Sequence, residues 1–224
     1  MMAYPSVLSE RDTLAAVCAG RSLARYGDGE LNLCRSRPAK RQRHDARLRD
    51  RLRQILHESG ECLVGIPSLH SETPKAEFWR KYQTSADLLA NRHYASAFIT
   101  RPDSAPWIDT ADYWQMLESL WVGQDVTIVS GGRHGLTEGD LVGAGAVTQV
   151  VAPRQDAWSA YDALLEQIGT PARALLCLGP TATVMAVDLC AKGVHAIDLG
   201  HVGLFIRKHR AGQPMTVTEE DKAA

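Results

Sequence analysis

The chain has 224 residues, of which 45% are hydrophobic and 23% are charged, and its formal net charge is −1. These values are ordinary for a globular domain, and a charge so near zero gives no general support for a nucleic-acid-binding protein. No apolar run reaches the roughly 18 residues that a membrane-spanning helix requires. The first residues also lack the pattern of a signal peptide.

Helix-period segments alternate with short apolar runs along most of the sequence. The predicted helices lie at 9–20, 45–60, 110–121, 156–169 and 181–193, with Ser9 as the N-cap of the first. The predicted strands lie at 22–26, 62–67, 95–102, 125–132, 147–153, 173–179 and 194–200. This alternation is typical of an α/β fold with a mostly parallel sheet and helices on both faces. We expect one domain over residues 1–210 and a polar tail over 211–224 that frays.

The five cysteines are scattered and form no C-x-x-C pair, and several lie within apolar runs. We interpret them as reduced core residues rather than as a disulfide framework or a zinc site. The sequence therefore predicts a cytoplasmic protein, with the inner face of the membrane as the alternative location.

The segment RYGDGEL, at 25–31, places two carboxylates one residue apart between glycines. Asp28 and Glu30 can share one divalent cation, because Mn²⁺ and Mg²⁺ favour a few carboxylates supplemented by phosphate and water oxygens. Gly27 lets the backbone approach a ligand, and Arg25 can bind a phosphate or orient the acids. The alternative is a polar turn with solvated acids.

The segment LGPTAT, at 178–183, has the pattern of a phosphate-binding turn. An apolar strand ends at Gly179, Pro180 stiffens the turn, and Thr181 or Thr183 can cap the following helix. The free N–H groups at the start of that helix suit a diphosphate. The alternative is a well-capped crossover helix without a ligand.

Further candidate residues follow other strands. Asp198 and His201 end the last predicted strand, where they can share a substrate hydroxyl, a metal or each other. Arg101 ends the third predicted strand, and Arg133 lies in the glycine-rich loop after the fourth, so each can contact an anion. The alternatives are a histidine bonded to backbone, a structural ion pair and a flexible connection.

Nine basic residues lie between Arg35 and Arg53, against two aspartates. On the predicted helix the arginines lie opposite an apolar stripe, so a solvated face explains them. The alternative is a surface for an anionic acceptor, either a lipid diphosphate or a nucleic acid.

Several segments resemble those of GT-D-type glycosyltransferases and occur in the same order. They are RYGDGE, ITRP, the loop at 130–141, LGPTATVMAVDL and AIDLGHVG. The resemblance extends from about Ser22 to His201. It implies a Rossmann-like sheet, a sugar-nucleotide donor (typically a UDP-sugar) and a Mn²⁺ or Mg²⁺ ion held by the D-x-E acids, here Asp28 and Glu30. It also implies nucleotide-side and strand-end roles for Gly179, Pro180, Thr181, Thr183, Asp198, Gly200 and His201.

Two departures from the family pattern bear on mechanism. After His201 the chain continues VGLFIRKHR, where family members often carry acidic and aromatic residues. After Pro102 it also lacks the aromatic residue that the family tends to have. If the catalytic base of other members is one of the missing acids, this chain either uses another group or lacks the activity. If the loop after Pro102 faces the acceptor, the acceptor differs from that of other members.

We therefore predict a metal-dependent glycosyltransferase that moves a sugar from a nucleotide-diphosphate donor to a hydroxyl of a glycan, glycolipid or glycoprotein. The predicted base is His201 or Asp198, with Glu138 or Asp140 as alternatives. The predicted donor-binding residues are Arg25, Gly27, Arg101, Arg133, Gly179, Pro180, Thr181 and Thr183.

Other functions stay open at this point. A sugar transferase acting on modified nucleic-acid bases would use the basic segment to bind its acceptor. A non-catalytic sugar-nucleotide-binding domain would explain the missing acids after His201. An unrelated Rossmann-like methyltransferase has little support, because no glycine-rich first βα turn is present.

Overall fold

The computed structural model describes residues 4–69, 75–90, 92–105, 107–219 and 221. Its centre is a seven-stranded sheet. The strands are β1 (Leu23–Arg25), β2 (Leu63–Ile66), β3 (Ala95–Ser96), β4 (Val126–Ser130), β5 (Val147–Val151), β6 (Arg173–Cys177) and β7 (His195–Asp198). Their order is β3-β2-β1-β7-β6-β4-β5, and each described pair of neighbouring strands is parallel. The predicted α/β fold is confirmed.

Eight α-helices flank the sheet within the described ranges. They are α1 (Glu10–Cys18), α2 (Asp28–Cys34), α3 (Ala46–His57), α4 (Ala76–Arg80), α5 (Ala111–Glu118), α6 (Tyr161–Ile168), α7 (Pro180–Cys190) and α8 (Val202–Arg210). Short 3₁₀ segments occupy Lys81–Leu88, Glu138–Asp140 and Ala157–Ala160. No helix in these ranges has both the length and the apolar character needed to cross a bilayer.

Two hydrophobic cores lie on opposite faces of the sheet. One contains apolar residues of α2, α3, α6 and α7, and the other those of α1, α4, α5 and α8. Along β6, Ala174 and Leu176 pack into the first core, whereas Leu175 and Cys177 pack into the second. Because successive side chains of a strand point to opposite faces, a strand buried on both sides needs a continuous apolar run.

The helix signals of the sequence are largely confirmed. Ser9 accepts a hydrogen bond from Asp12 N at 3.0 Å and caps α1. Asp45 caps α3 in the same way through Leu48 N, also at 3.0 Å. The α3 stripe predicted to be apolar is fully buried, namely Leu48, Leu52, Ile55 and Leu56.

Three local predictions are wrong. The third strand stops at Ser96 instead of continuing to Pro102, because the chain enters successive turns in which Arg101 N bonds to Phe98 O at 2.9 Å. The segment after His201 is the helix α8, which was not predicted. The D-x-E acids lie in the first turn of α2, not in a loop.

The tail also differs from the expected fraying segment. Met215 and Val217 pack against the second core, and Lys208 Nζ donates to Thr216 O at 2.6 Å. Lys208 also pairs with Asp221 at 2.7 Å. Residues 220 and 222–224 lie outside the described part, and the division of the chain at residue 210 stays a prediction.

Candidate functional site

The site lies where the strand order reverses. From β1 the chain adds β2 and β3 on one side, whereas β7 completes the sheet on the other side of β1. Ligands of open α/β sheets bind outside the carboxyl ends of the strands at such a point. Arg25 ends β1 and Asp198 ends β7, so both predicted segments meet there.

The two D-x-E acids occupy different environments in the first turn of α2. Gly27 is the N-cap, and its N–H donates to Glu30 Oε2 at 2.7 Å. Glu30 is therefore buried and caps its own helix, whereas Asp28 is exposed. A glycine N-cap offers no side chain to the helix start, so Glu30 provides the capping oxygen instead.

The chemistry of these acids fits Mn²⁺ or Mg²⁺. Burial, and then the negative charges of Asp198 and Asp28, raise the pKa of Glu30 to about 7. A divalent cation would offset this repulsion, and carboxylate oxygens are ligands that both ions favour. The described residues contain no cluster of three or more metal-ligating side chains. A cation on Asp28 and Glu30 would therefore complete its shell with phosphate and water oxygens.

Arg25 is buried and already engaged with the protein. Its Nη1 donates to Ala97 O at 3.0 Å and to Thr100 Oγ1 at 2.5 Å, and its Nη2 pairs with Asp198 Oδ1 at 3.3 Å. Its Nε is buried without a hydrogen-bond partner in the described structure. This arrangement supports the interpretation that Arg25 orients an acid, rather than that it binds a phosphate through two donors.

Asp198 is a buried carboxyl held from two sides. Burial raises its pKa, and the charge and hydrogen bond of Arg25 oppose that rise. Its Oδ1 also accepts from Gly200 N at 3.0 Å. Gly200 has a φ of +53°, and a Cβ at this position would lie 2.3 Å from Arg25 Nη2. Only glycine therefore fits beside the Arg25–Asp198 pair.

The start of α7 faces the same region, but its threonines are not caps. Gly179 is the N-cap with a φ of +58°, and no side chain caps the helix. Thr181 and Thr183 are fully buried; Thr181 donates to Gln42 Oε1 at 3.3 Å and Thr183 to the Arg25 carbonyl at 2.8 Å. The prediction that they cap α7 is wrong. Backbone N–H groups, not these hydroxyls, are what α7 offers to a ligand.

His201 follows β7 and has a second histidine beside it. Its ring lies edge-on to that of His134, with the centroids 5.7 Å apart. Solvent reaches His201, yet the surrounding protein and then nearby cationic groups, Arg101 first, lower its pKa. The ring is therefore neutral, with a free nitrogen that can accept a proton, but the same surroundings weaken it as a base.

Arg101 reaches the site, whereas Arg133 does not make a described contact there. Arg101 forms two hydrogen bonds with the buried Asp103, at 2.8 and 3.0 Å, and Lys75 pairs with the same carboxylate. The Arg133 side chain is exposed, and within the described part of the chain Arg207 donates to its backbone carbonyl. Arg133 therefore has less structural support as a donor-binding residue than Arg101.

The two alternative bases of the glycine-rich loop also differ. Asp140 is buried, accepts from Thr137 N at 2.9 Å and pairs with Arg207 at 2.5 Å. Glu138 is exposed in the 3₁₀ segment. Asp140 thus stabilises the loop against α8, and its carboxylate is engaged by these contacts.

Several arginines of the basic segment have partners within the protein. Arg51 pairs with Asp188 at 2.5 Å, Arg53 Nε donates to Cys34 O at 2.7 Å, and Arg49 pairs with Asp50 at 2.7 Å. Arg43 and Arg47 are exposed. These contacts reduce the charge available to a nucleic acid on this surface.

Comparisons with known proteins bear directly on this arrangement. The family model described as glycosyltransferase GT-D fold matches residues 23–221. The chain belongs to this GT-D-fold glycosyltransferase family. The matched range includes every residue of the site described above, from Arg25 to His201.

Two streptococcal relatives carry glycosyltransferase names. The chain is 33% identical over 202 residues to the probable glycosyl transferase Gly of Streptococcus gordonii, covering 82% of this chain and 30% of that protein. It is 30% identical over 204 residues to the glycosyltransferase GlyD of Streptococcus pneumoniae serotype 4, covering 81% and 25%. This GT-D-family chain thus spans less than a third of the length of either relative.

Solved structures show the same fold. One is described as the highly conserved domain of unknown function 1792 with a distinct glycosyltransferase fold; its TM-score is 0.84 at 29% identity, covering 96% of this chain and 84% of that one. Another is a new glycosyltransferase (DUF1792) from Streptococcus sanguinis, with a TM-score of 0.78 at 28% identity and coverage of 96% and 87%. The predicted GT-D fold is therefore confirmed.

Proposed function

We propose that the protein transfers a sugar from a nucleotide-diphosphate donor, a UDP-sugar in the first instance, to a hydroxyl of a glycan, glycolipid or glycoprotein. The observation that carries this proposal is that three features meet at the carboxyl ends of the neighbouring strands β1 and β7. The D-x-E acids, the uncapped start of α7 and an accessible neutral histidine meet there. The names of the two streptococcal relatives support glycosyl transfer for the GT-D region that they share with this chain.

The transfer reaction assigns a distinct task to each group. The acceptor hydroxyl oxygen bonds to the anomeric carbon, while the bond from that carbon to the diphosphate oxygen breaks and its electron pair leaves with the nucleoside diphosphate. His201 takes the hydroxyl proton, since solvent reaches its ring and the anionic diphosphate of a bound donor would offset the cations that lower its pKa in the free protein. Asp198 holds Arg25 in place and is less available as a base, because its Oδ1 is engaged.

Negative charge grows on the leaving diphosphate during the reaction. The N–H groups at the start of α7 would donate to its oxygens, and Arg101 lies close enough to His201 to add positive charge to the site. A divalent cation held by Asp28 and Glu30 would neutralise part of the diphosphate charge. These groups favour a donor whose leaving group is a phosphate anion over an uncharged one.

Calorimetric titration tests this function. UDP-glucose and other sugar nucleotides would be titrated with Mn²⁺ and with a chelator, on the wild type, Asp28→Ala and Glu30→Gln. We expect metal-dependent binding that both variants weaken by about 10-fold or more, the usual range for removing a charged contact. The matched control is Glu118→Ala, which removes an exposed carboxylate from the last turn of α5.

Three results would count against the proposal. They are the absence of sugar-nucleotide binding, binding that ignores the metal, and binding that is equal in all variants. Release of UDP on adding a glycan acceptor panel then separates a transferase from a non-catalytic binding domain. A gel shift at low salt would instead support the nucleic-acid alternative.

A further inference from the structure

A tight turn at 39–42 reaches the site from the basic segment. Ala39 and Gln42 form an antiparallel bridge, which leaves Lys40 and Arg41 at the tip. The turn sits against both helix starts of the site. A Cβ added at Gly29 in α2 would lie 3.5 Å from Ala39 Cβ and 3.5 Å from Pro180 Cγ. The turn, α2 and α7 thus converge around Gly29.

The side chain of Gln42 fixes this turn from beneath. Gln42 is 3% exposed, and its Nε2 donates to Asp156 Oδ1 at 2.5 Å. Its Oε1 accepts from Thr181 Oγ1 at 3.3 Å and from Trp158 N at 3.4 Å. The Arg41 carbonyl also accepts from Asp156 N at 2.8 Å. One buried amide therefore joins the turn to α7 and to the loop after β5.

The Arg41 guanidinium lies beside the site without a partner among the described residues. Its Nη1 is 3.8 Å from the position that a Cβ of Gly132 would take, in the loop after β4. Its charge also contributes to the lowered pKa values of His134 and His201, so it lies near both rings. No hydrogen bond or ion pair to its guanidinium is present in the described structure. The nearby Asp156 carboxylate is taken by Gln42 and Arg43.

We propose that Arg41 binds the diphosphate of the donor, and that Gln42 is the residue that positions it. This inference rests on the proposed function. A guanidinium presents N–H donors in a planar fork that matches two phosphate oxygens. Held on a rigid turn, it loses little conformational freedom when the ligand binds. The positive charge would also stabilise the leaving nucleoside diphosphate.

The surroundings favour a diphosphate over other anions. Ala39 of the turn and Pro180 at the start of α7 both lie beside Gly29, so a ligand at this point would be within reach of the turn and of the N–H groups of α7. The D-x-E acids adjoin the same point and would repel a bare anion, but they accept one that arrives with a divalent cation. A nucleic acid needs a row of accessible cations, whereas Arg49, Arg51 and Arg53 are engaged within the protein.

The test compares ligands that do and do not carry a diphosphate. UDP, inorganic pyrophosphate and uridine would be titrated with Mg²⁺ into the wild type, Arg41→Gln and Arg47→Gln. Arg47→Gln is the matched control, because it removes the same charge from an exposed position of α3. We expect Arg41→Gln to weaken the binding of UDP and of pyrophosphate by about 10- to 100-fold, as for a lost hydrogen bond to a charged group. The binding of uridine should change little.

The outcomes separate this inference from the proposed function. Equal UDP affinity in Arg41→Gln and wild type would overturn the role of Arg41 while leaving the transferase intact. If pyrophosphate binds through Arg41 but no sugar nucleotide binds, the diphosphate site stands and the donor assignment fails. If neither UDP nor pyrophosphate binds the wild type, both are overturned.

A double-mutant cycle tests Gln42. Gln42→Leu removes the hydrogen bonds of the side-chain amide and has a similar volume. If the amide positions Arg41, UDP should bind several-fold more weakly to this variant. The same change in the Arg41→Gln background should then have no further effect on UDP. A purely structural role would instead lower UDP affinity equally in both backgrounds, and that result would overturn the positioning role.

Discussion

Asp103 is a buried carboxylate between two cations, and it sets the position of Arg101. Burial would raise its pKa, but the hydrogen bonds and charges of Arg101 and Lys75 outweigh burial and lower it to about 2. Its side chain is 3% exposed, so the pair with Arg101 is little screened by solvent. The carboxylate therefore holds the arginine that adds positive charge beside His201.

The first prediction concerns the pH dependence of this pair. A carboxyl whose folded pKa lies below its ordinary value of 3.8 stabilises the fold above that value, and the gain disappears as the pH falls through about 2. Asp103→Asn should therefore lower the free energy of unfolding by about 2 kcal/mol at pH 7. The difference from wild type should shrink steadily below pH 4. Urea unfolding at a series of pH values measures both.

Asp50→Asn is the matched control for that experiment. Asp50 pairs with Arg49 in an exposed position, where solvent screens the attraction, so its replacement should leave stability unchanged at every pH. Equal behaviour of the two variants would show that the Asp103 pair contributes no more than a surface ion pair.

Most residues of the candidate site could be named from the sequence, but their contacts could not. The D-x-E acids, Asp198 and His201 do meet at one point, because the order of the strands brings their loops together. The hydrogen bonds from Thr181 to Gln42 and from Thr183 to Arg25 join residues more than 130 positions apart. No local pattern could reveal them. Arg41 was visible only as one charge among nine, and Gln42 carried no signal.

At the scale of elements, β1, β7 and α7 are tied together around Gly200. Thr183 of α7 bonds to the last carbonyl of β1, and Arg25 reaches from β1 to Asp198 at the end of β7. The backbone of Gly200 passes so close to the guanidinium that no side chain fits there. The Arg25–Asp198 pair between the two strand ends therefore requires glycine at this position.

Gly200→Ala should therefore destabilise the protein and loosen the site. A Cβ 2.3 Å from Arg25 Nη2 forces the guanidinium away from Asp198, and breaking a buried ion pair costs about 3–5 kcal/mol. Thermal unfolding and donor titration would measure the two effects. Gly193→Ala is the control, because its φ is +82° but a Cβ there meets nothing within 4 Å.

The control isolates backbone strain from the clash. Gly193→Ala should lose only the roughly 1–2 kcal/mol of a left-handed alanine, with unchanged donor affinity. Equal losses of stability in the two variants would mean that Arg25 moves aside freely. The close contact at Gly200 would then contribute nothing to stability.

The elements missed by sequence reasoning share a physical cause. The start of α2 is rich in glycine and is capped by its own Glu30, so it resembles a turn. His201 is the N-cap of α8 but its side chain does not cap the helix, so no start signal precedes α8. β3 has two residues at the sheet edge, and the apolar run beyond it is buried in turns instead. In each case tertiary packing, rather than local propensity, determines the element.

For the whole molecule, the alternation of elements was sufficient to predict a parallel sheet but not its order. The chain passes from β3 at one edge to β4 and β5 at the other, and then fills the centre with β6 and β7. Because β7 comes to lie beside β1, the ends of these two strands meet and form the candidate site. The spacing of the apolar runs does not predict this strand order, whereas the family resemblance does.

The tail is the part of the molecule where sequence and structure diverge most. Lys208 is 6% exposed, and its ammonium is satisfied only by Thr216 O and Asp221 among the described residues. Met215 and Val217 cover the second core beside it. The segment thus packs against α8, whereas its polar composition predicted a frayed end.

Truncation after Arg210 should therefore destabilise the domain. It leaves a buried ammonium without a partner and exposes apolar surface, which together should lower the free energy of unfolding by about 1–3 kcal/mol. Truncation after Asp221 keeps every described contact of Lys208 and should match the full chain. Lys208→Met should restore part of the loss in the shorter protein, since it removes the unpaired charge at similar length. If all of these proteins melt at the same temperature, residues 211–221 contribute nothing, and the domain ends at residue 210.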